Sequence, residues 1–87
     1  MKYDTKDAHR YCISHKPELS QDNICGCFYC GKMFSPTEIT DWILDRHGTA
    51  LCPYCMIDSV IGESSGYPIT PEFLCEMHRA WFGDDLN

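Results

Sequence analysis

Two Cys-x-x-Cys pairs, Cys27-Phe28-Tyr29-Cys30 and Cys52-Pro53-Tyr54-Cys55, stand twenty-one residues apart in a chain of 87. That spacing constrains the fold more than any other feature. Two cysteines separated by two residues can deliver both sulfurs from one tight turn to a single tetrahedral ion, with Zn–S bonds of about 2.3 Å. One such pair alone would equally suit a redox centre. Two pairs, each flanked by an aromatic and the first followed by Gly31-Lys32, predict a four-thiolate zinc site at Cys27, Cys30, Cys52 and Cys55. A set of four thiolates is the closed, structural kind of site, whereas catalytic zinc keeps three protein ligands and an open position.

The length agrees with a metal-stapled domain. At 87 residues an apolar core alone is marginal, and zinc binding to a site absent from the unfolded chain contributes on the order of 10 kcal/mol. Folding and metal binding are therefore expected to be coupled, with the apo chain largely unfolded or molten. Seven cysteines would also suit a secreted disulfide framework. The odd count, the metal spacing and the polar start Met1-Lys2-Tyr3-Asp4, with no apolar run behind it, favour instead a reducing cytoplasm. No stretch approaches the ~20 apolar residues of a membrane span.

Seven Lys and Arg face thirteen Asp and Glu, for a formal charge of −6. Four thiolates on one Zn²⁺ add a net −2, giving about −8 for the loaded chain. Phosphate neutralisation by basic side chains supplies most nucleic-acid affinity. The densest basic residues here, Lys2, Lys6, Arg10 and Lys16, are interrupted by Asp4 and Asp7. The balance disfavours a nucleic acid and favours a basic protein as partner; the oligomeric state is not set by the sequence.

Along the chain, residues 3–13 are predicted helical, with Thr5 as N-cap and Ala8, Tyr11 and Cys12 on one stripe. Lys16-Pro17 interrupts that segment and residues 20–23 read as a turn. After the first knuckle, Ser35-Pro36-Thr37-Glu38 forms a capping box and predicts one helical turn at 36–39. A hairpin with strands 41–44 and 49–51 follows, turning at Gly48. Pro53 then suggests a short helix from the second knuckle to about Ile61, stopped by Gly62. Residues 63–69 form a loop, Thr70-Pro71 starts a helix over 71–82, and Gly83 ends it. The chain thus reads as one small α+β, metal-stabilised domain over 1–87. It comprises an N-terminal helical segment (1–24), a zinc core (25–61), a loop with a C-terminal helix (62–83) and an acidic tail (84–87). Knuckle, short hairpin and helix, with flanking terminal helices, is the order of a treble-clef zinc finger, with a zinc ribbon as the alternative.

The segments Cys-Gly-Cys-Phe-Tyr-Cys at 25–30, Thr-Ala-Leu-Cys-Pro-Tyr-Cys at 49–55, Ile-Asp-Ser-Val-Ile-Gly at 57–62 and Ser-Gly-Tyr-Pro-Ile-Thr at 65–70 carry a resemblance. Across residues 9–82 the chain resembles a family of small bacterial cytoplasmic zinc proteins without an established activity. Met56 stands where the resemblance implies glycine.

Other residues bear on function. Cys25 is a spare thiol, able to exchange with a ligand or stay free. Cys12-x-x-His15 and Cys75-x-x-His78 each place two potential ligands at helical i, i+3 spacing. If the terminal helices meet, Cys12, His15, Cys75 and His78 would form a second zinc site; packing cysteines and surface histidines are the plainer reading. His9, His47 and the Asp58-Ser59 pair lack a visible catalytic companion, and Ser64-Ser65-Gly66 lacks both the nucleophile elbow and the phosphate-loop lysine. No catalytic residue and no organic cofactor is assigned. Among eleven aromatics (four Phe, five Tyr, two Trp), Phe28, Tyr29 and Tyr54 are expected over the thiolates. Trp42, Phe73, Trp81 and Phe82 are expected in the core, with Tyr67 and Phe82 as candidates for an exposed partner surface. The function these features favour is a non-enzymatic, zinc-stabilised adaptor, or an inhibitor or immunity-type protein acting on a basic target. The alternatives are a thiol-redox or zinc-handling protein and, third, a nucleic-acid-associated regulator.

Overall fold

A computed structural model describes residues 3–83. The expected acidic tail at 84–87 lies outside the described residues.

Helix α1 (Thr5–His9) continues into a 3-10 turn at Arg10–Cys12. Its N-cap is Asp4 rather than Thr5: the Asp4 carboxylate accepts the Asp7 N–H at 3.0 Å, satisfying one of the free donors of the first turn. Ser14 has φ 50 and turns the chain inward at His15. Pro17 does more than interrupt. It sits in the first turn of a second short helix, α2 (Lys16–Leu19), where its missing N–H costs nothing. The turn expected at 20–23 follows.

Strand β1 (Cys25–Cys27) is the centre of the molecule. It pairs antiparallel with β2 (Met33–Phe34) on one side and β5 (Val60–Gly62) on the other. Cys25 lies opposite Phe34 and Gly62, and Cys27 opposite Val60. Every residue of β1 and β5 is buried, because each face of this small sheet is covered by its own apolar cluster. One cluster gathers Leu19, Cys25, Cys27, Phe34, Ile39, Ala50, Cys52 and Val60. The other gathers Ala8, Cys12, Phe28, Ile61, Phe73, Leu74 and Met77. The period-2 alternation of β5 divides Val60 from Ile61 between them.

The capping box at Ser35 and Glu38 forms as expected, over a 3-10 turn at Pro36–Glu38. The expected hairpin is also present, as β3 (Trp42–Ile43) and β4 (Thr49–Ala50), with Trp42 opposite Ala50. Its loop is closed by Asp45, whose carboxylate accepts the Gly48 N–H at 2.7 Å and the Thr49 hydroxyl. Helix α3 (Pro71–Phe82) runs over the span expected, capped by Thr70, which accepts the Phe73 N–H at 3.2 Å, and ended by Gly83.

The helix expected from the second knuckle to Ile61 does not form. Residues 53–55 are a turn, and the chain then extends into β5. The cause is local. Met56 has φ 65, a left-handed conformation that cannot continue a right-handed helix, and the β-branched Val60 and Ile61 find a partner in β1. No helix among the described residues is long and apolar enough to cross a membrane.

Candidate metal centre

The two knuckles have the same backbone. In the first, the Cys27 N–H donates to the Lys32 carbonyl at 2.9 Å and the Gly31 N–H to the Cys27 carbonyl at 2.8 Å. In the second, the Cys52 N–H donates to the Ile57 carbonyl at 3.0 Å and the Met56 N–H to the Cys52 carbonyl at 2.8 Å. The residue closing each turn is left-handed, Gly31 at φ 82 and Met56 at φ 65. Glycine adopts that conformation without strain; methionine does not.

The turns face each other and bring the sulfurs of Cys27, Cys30, Cys52 and Cys55 within 4.8 Å of one another. Across the knuckles, Cys27 Sγ lies 3.6 Å from Cys55 Sγ and Cys30 Sγ 3.7 Å from Cys52 Sγ. A tetrahedron with 2.3 Å bonds has edges of about 3.8 Å. The seven cysteines among the described residues are all free, so the four sulfurs are spaced as ligands rather than as disulfides. They could hold a metal ion.

The surroundings supply what such a site needs. Cys27 and Cys52 are fully buried, while Cys30 and Cys55 are half-buried. Leu19, Phe34, Ile39, Ala50 and Val60 pack around them with Trp42. Burial pushes the Cys27 thiol well above its ordinary range, against the N–H groups of Cys30 and Tyr29 that favour a thiolate there. At Cys52 burial also opposes ionisation. The N–H groups of Tyr54 and Cys55 and the thiols of Cys55 and Cys30 outweigh it, and its pKa falls below the ordinary value. Burial raises Cys55 to about 11. N–H donors aimed at sulfur are the outer shell that orients thiolate ligands, and four such thiols at this spacing ionise together only around a cation.

The remaining candidates are placed elsewhere. Cys25 belongs to the same buried cluster, but its thiol donates to the Phe34 carbonyl at 3.4 Å, and burial pushes it up to about 12. The second set does not assemble; among the described residues the four knuckle cysteines are the only group close enough to hold a metal. Cys12 donates to the His9 carbonyl at 2.9 Å and is raised by burial to about 12. His15 uses both ring nitrogens, Nδ1–H donating to the Tyr11 carbonyl at 2.7 Å and Nε2 accepting the Ala50 N–H at 3.1 Å. His78 Nδ1–H donates to the Phe28 carbonyl at 3.0 Å, and Cys75 lies 3.8 Å from the Arg79 guanidinium. His47 is exposed in the hairpin loop. Ser59 is buried on no helix, its carbonyl accepting the Phe28 N–H. Ser64 ties its turn to Asp22, 42 residues earlier in the chain, and Ser65 donates to the Gly62 carbonyl within the turn.

Several aromatics depart from expectation. Phe28 packs in the cluster of the terminal helices rather than over the thiolates. Tyr29 is exposed, edge-on to Phe82 at 4.9 Å, and Tyr54 is exposed against Phe34 at 5.7 Å. Trp81 and Phe82 lie at the surface, each 41% accessible, rather than in the core. Tyr67 is engaged internally, stacked on Phe73 at 5.4 Å with its hydroxyl donating to Asp7 at 2.8 Å. The bridging role of His15 had no signal in the sequence, since both partners are backbone atoms and one of them, the Ala50 N–H, lies 35 residues away.

A comparison with protein-family models returns no match, and comparisons with curated proteins and with solved structures likewise return none.

Proposed function

We propose that the chain is a non-enzymatic, zinc-stabilised protein that binds a basic protein partner, as an adaptor or as an inhibitor of immunity type. The observation that carries the reading is the closed set of four sulfurs. Cys27, Cys30, Cys52 and Cys55 would hold Zn²⁺, which would supply fold energy and leave no coordination position for a substrate. The run from the second knuckle into strand β5, with no helix between them, supports a zinc ribbon over a treble clef.

The binding surface in this reading is the end of α3. Tyr29, Trp81 and Phe82 are exposed there; Tyr29 and Phe82 are in ring contact directly and through His78, and Trp81 connects to Phe82 through His9 and Phe28. Exposed aromatics clustered on one face are what interfaces use as anchors. The formal −6 of the chain selects a positive partner. In the thiol-redox alternative the two Cys-x-x-Cys pairs would instead cycle between dithiol and disulfide.

The test is affinity capture from the source cell with the zinc-loaded chain. The expected result is a basic protein, retained less at high salt and lost with the double variant Tyr29→Ser, Phe82→Ser. Capture of none, or of neutral and acidic proteins only, would overturn the reading.

A further inference from the structure

Beside the exposed aromatics a cavity of about 230 Å³ opens between the first helical segment, the end of α3 and the stretch that leads into β5. Its lining includes His9, Phe28, Trp81, Phe82 and Asp58. The rings form a continuous chain. His9 lies 4.1 Å from Trp81 and 6.2 Å from Phe28, and Phe28 lies 5.9 Å from Phe82, centroid to centroid. The Trp81 indole is fixed in place, its Nε1–H donating to the Thr5 carbonyl at 3.0 Å, and Phe28 is fully buried. Asp58 is exposed, and among the described residues no hydrogen bond or ion pair engages its carboxylate.

We infer that this cavity seats an arginine side chain of the basic partner. The inference rests on the protein-binding reading above and names the group that reading requires. Aromatic faces carry negative quadrupole density and attract a cation, and a free carboxylate beside them supplies a charged acceptor. An apolar occupant would gain the rings but strip water from Asp58 without compensation. A guanidinium satisfies both. It is planar, stacks on rings, is weakly hydrated and presents paired donors to a carboxylate, whereas an ammonium is a compact and strongly hydrated charge. The walls are held by internal contacts before any ligand arrives, so little ordering opposes binding. Asp58-Ser59, which drew attention in the sequence as a polar pair, thus divides its roles. Ser59 is buried structure, and Asp58 is the charge at the cavity.

The experiment is a titration of the ¹⁵N-labelled, zinc-loaded chain with N-acetyl-arginine-N′-methylamide at pH 8 and constant ionic strength. The neutral isostere with citrulline in place of arginine is the control. Saturable shifts of the Trp81 indole N–H and the Asp58 amide are expected with arginine, with citrulline about tenfold weaker. Asp58→Asn, an exposed position, should weaken arginine about tenfold and leave the rest of the spectrum in place. No saturation, or equal affinity for citrulline, would overturn the inference. A basic partner captured equally by the wild type and by Asp58→Asn would also overturn it while leaving the protein-binding reading intact. Arginine binding without any basic partner would sustain the cavity and remove the adaptor.

Discussion

Replacing His15 with leucine keeps most of a buried side chain and removes two hydrogen-bonding atoms. His15 is 5% accessible and ties the turn at Tyr11 to strand β4 at Ala50, which is fully buried. The leucine variant leaves the Ala50 N–H without a partner, at a cost of about 1–3 kcal/mol. The Tyr11 carbonyl belongs to an exposed residue and regains water in part, so the total is about 2–3 kcal/mol. With a urea m-value of about 1 kcal/mol/M for a domain of this size, the midpoint should fall by about 2 M. The assay is urea unfolding followed by tryptophan fluorescence at pH 7.5, with free zinc held constant because bound metal shifts the midpoint. The same residue sets a pH dependence. Burial holds its pKa below the ordinary 6.5, against a Tyr11 hydrogen bond and nearby Glu18, Asp45 and Asp22 that push upward. Below pH 6.5 the unfolded chain takes up a proton that the folded chain resists. His15 therefore contributes no pH dependence above that value, and stability falls as the pH drops beneath it, by up to about 1.4 kcal/mol per pH unit. The leucine variant should lose that component while keeping the acid sensitivity of the thiolates. A midpoint shift under about 0.5 M, or identical pH profiles, would refute the bridging role.

Three further outcomes are expected. An alanine at Gly62 would place its Cβ 2.3 Å from Asp22 Oδ2 and 2.5 Å from Leu19 Cδ2, so Gly62→Ala should lower stability by about 2 kcal/mol in the same unfolding assay. Met56→Gly relieves a left-handed methionine but loosens the unfolded chain; it should be neutral or stabilising by up to about 1 kcal/mol, whereas Gly31→Ala costs about 1. A melting temperature that falls for Met56→Gly would contradict the equivalence of the two knuckles. Cys25→Ala should keep its full zinc content by elemental analysis, while Cys52→Ala should lose it.

What the sequence disclosed followed the range of the forces involved. Helix α3 was legible because its signals are local: Thr70-Pro71 at the start, Phe73 and Met77 on the buried stripe, Gly83 at the end. The hairpin at 42–50 and the capping box at Ser35 are likewise written within a few residues. Strand β5 was not legible, because Val60 and Ile61 become a strand only by pairing with β1, more than thirty residues earlier. Pro53 supplied a helix-start signal that the left-handed Met56 cancels. Setting Met56 beside Gly31 as the closing residue of an equivalent turn is the comparison that exposes this. The four metal-site cysteines could be read directly, since their spacing is the chemistry. The fates of Phe28, Trp81 and Tyr67 depend on how the terminal helices meet across the sheet, which no short window of sequence contains.

The most direct measurement is the native mass of the metal-replete chain, combined with alkylation to count protected thiols. One zinc per chain, with Cys27, Cys30, Cys52 and Cys55 protected, is the result expected. A chain carrying no zinc and pairing these cysteines in disulfides would contradict the account, and a second zinc would return Cys12, His15, Cys75 and His78 to the ligand set.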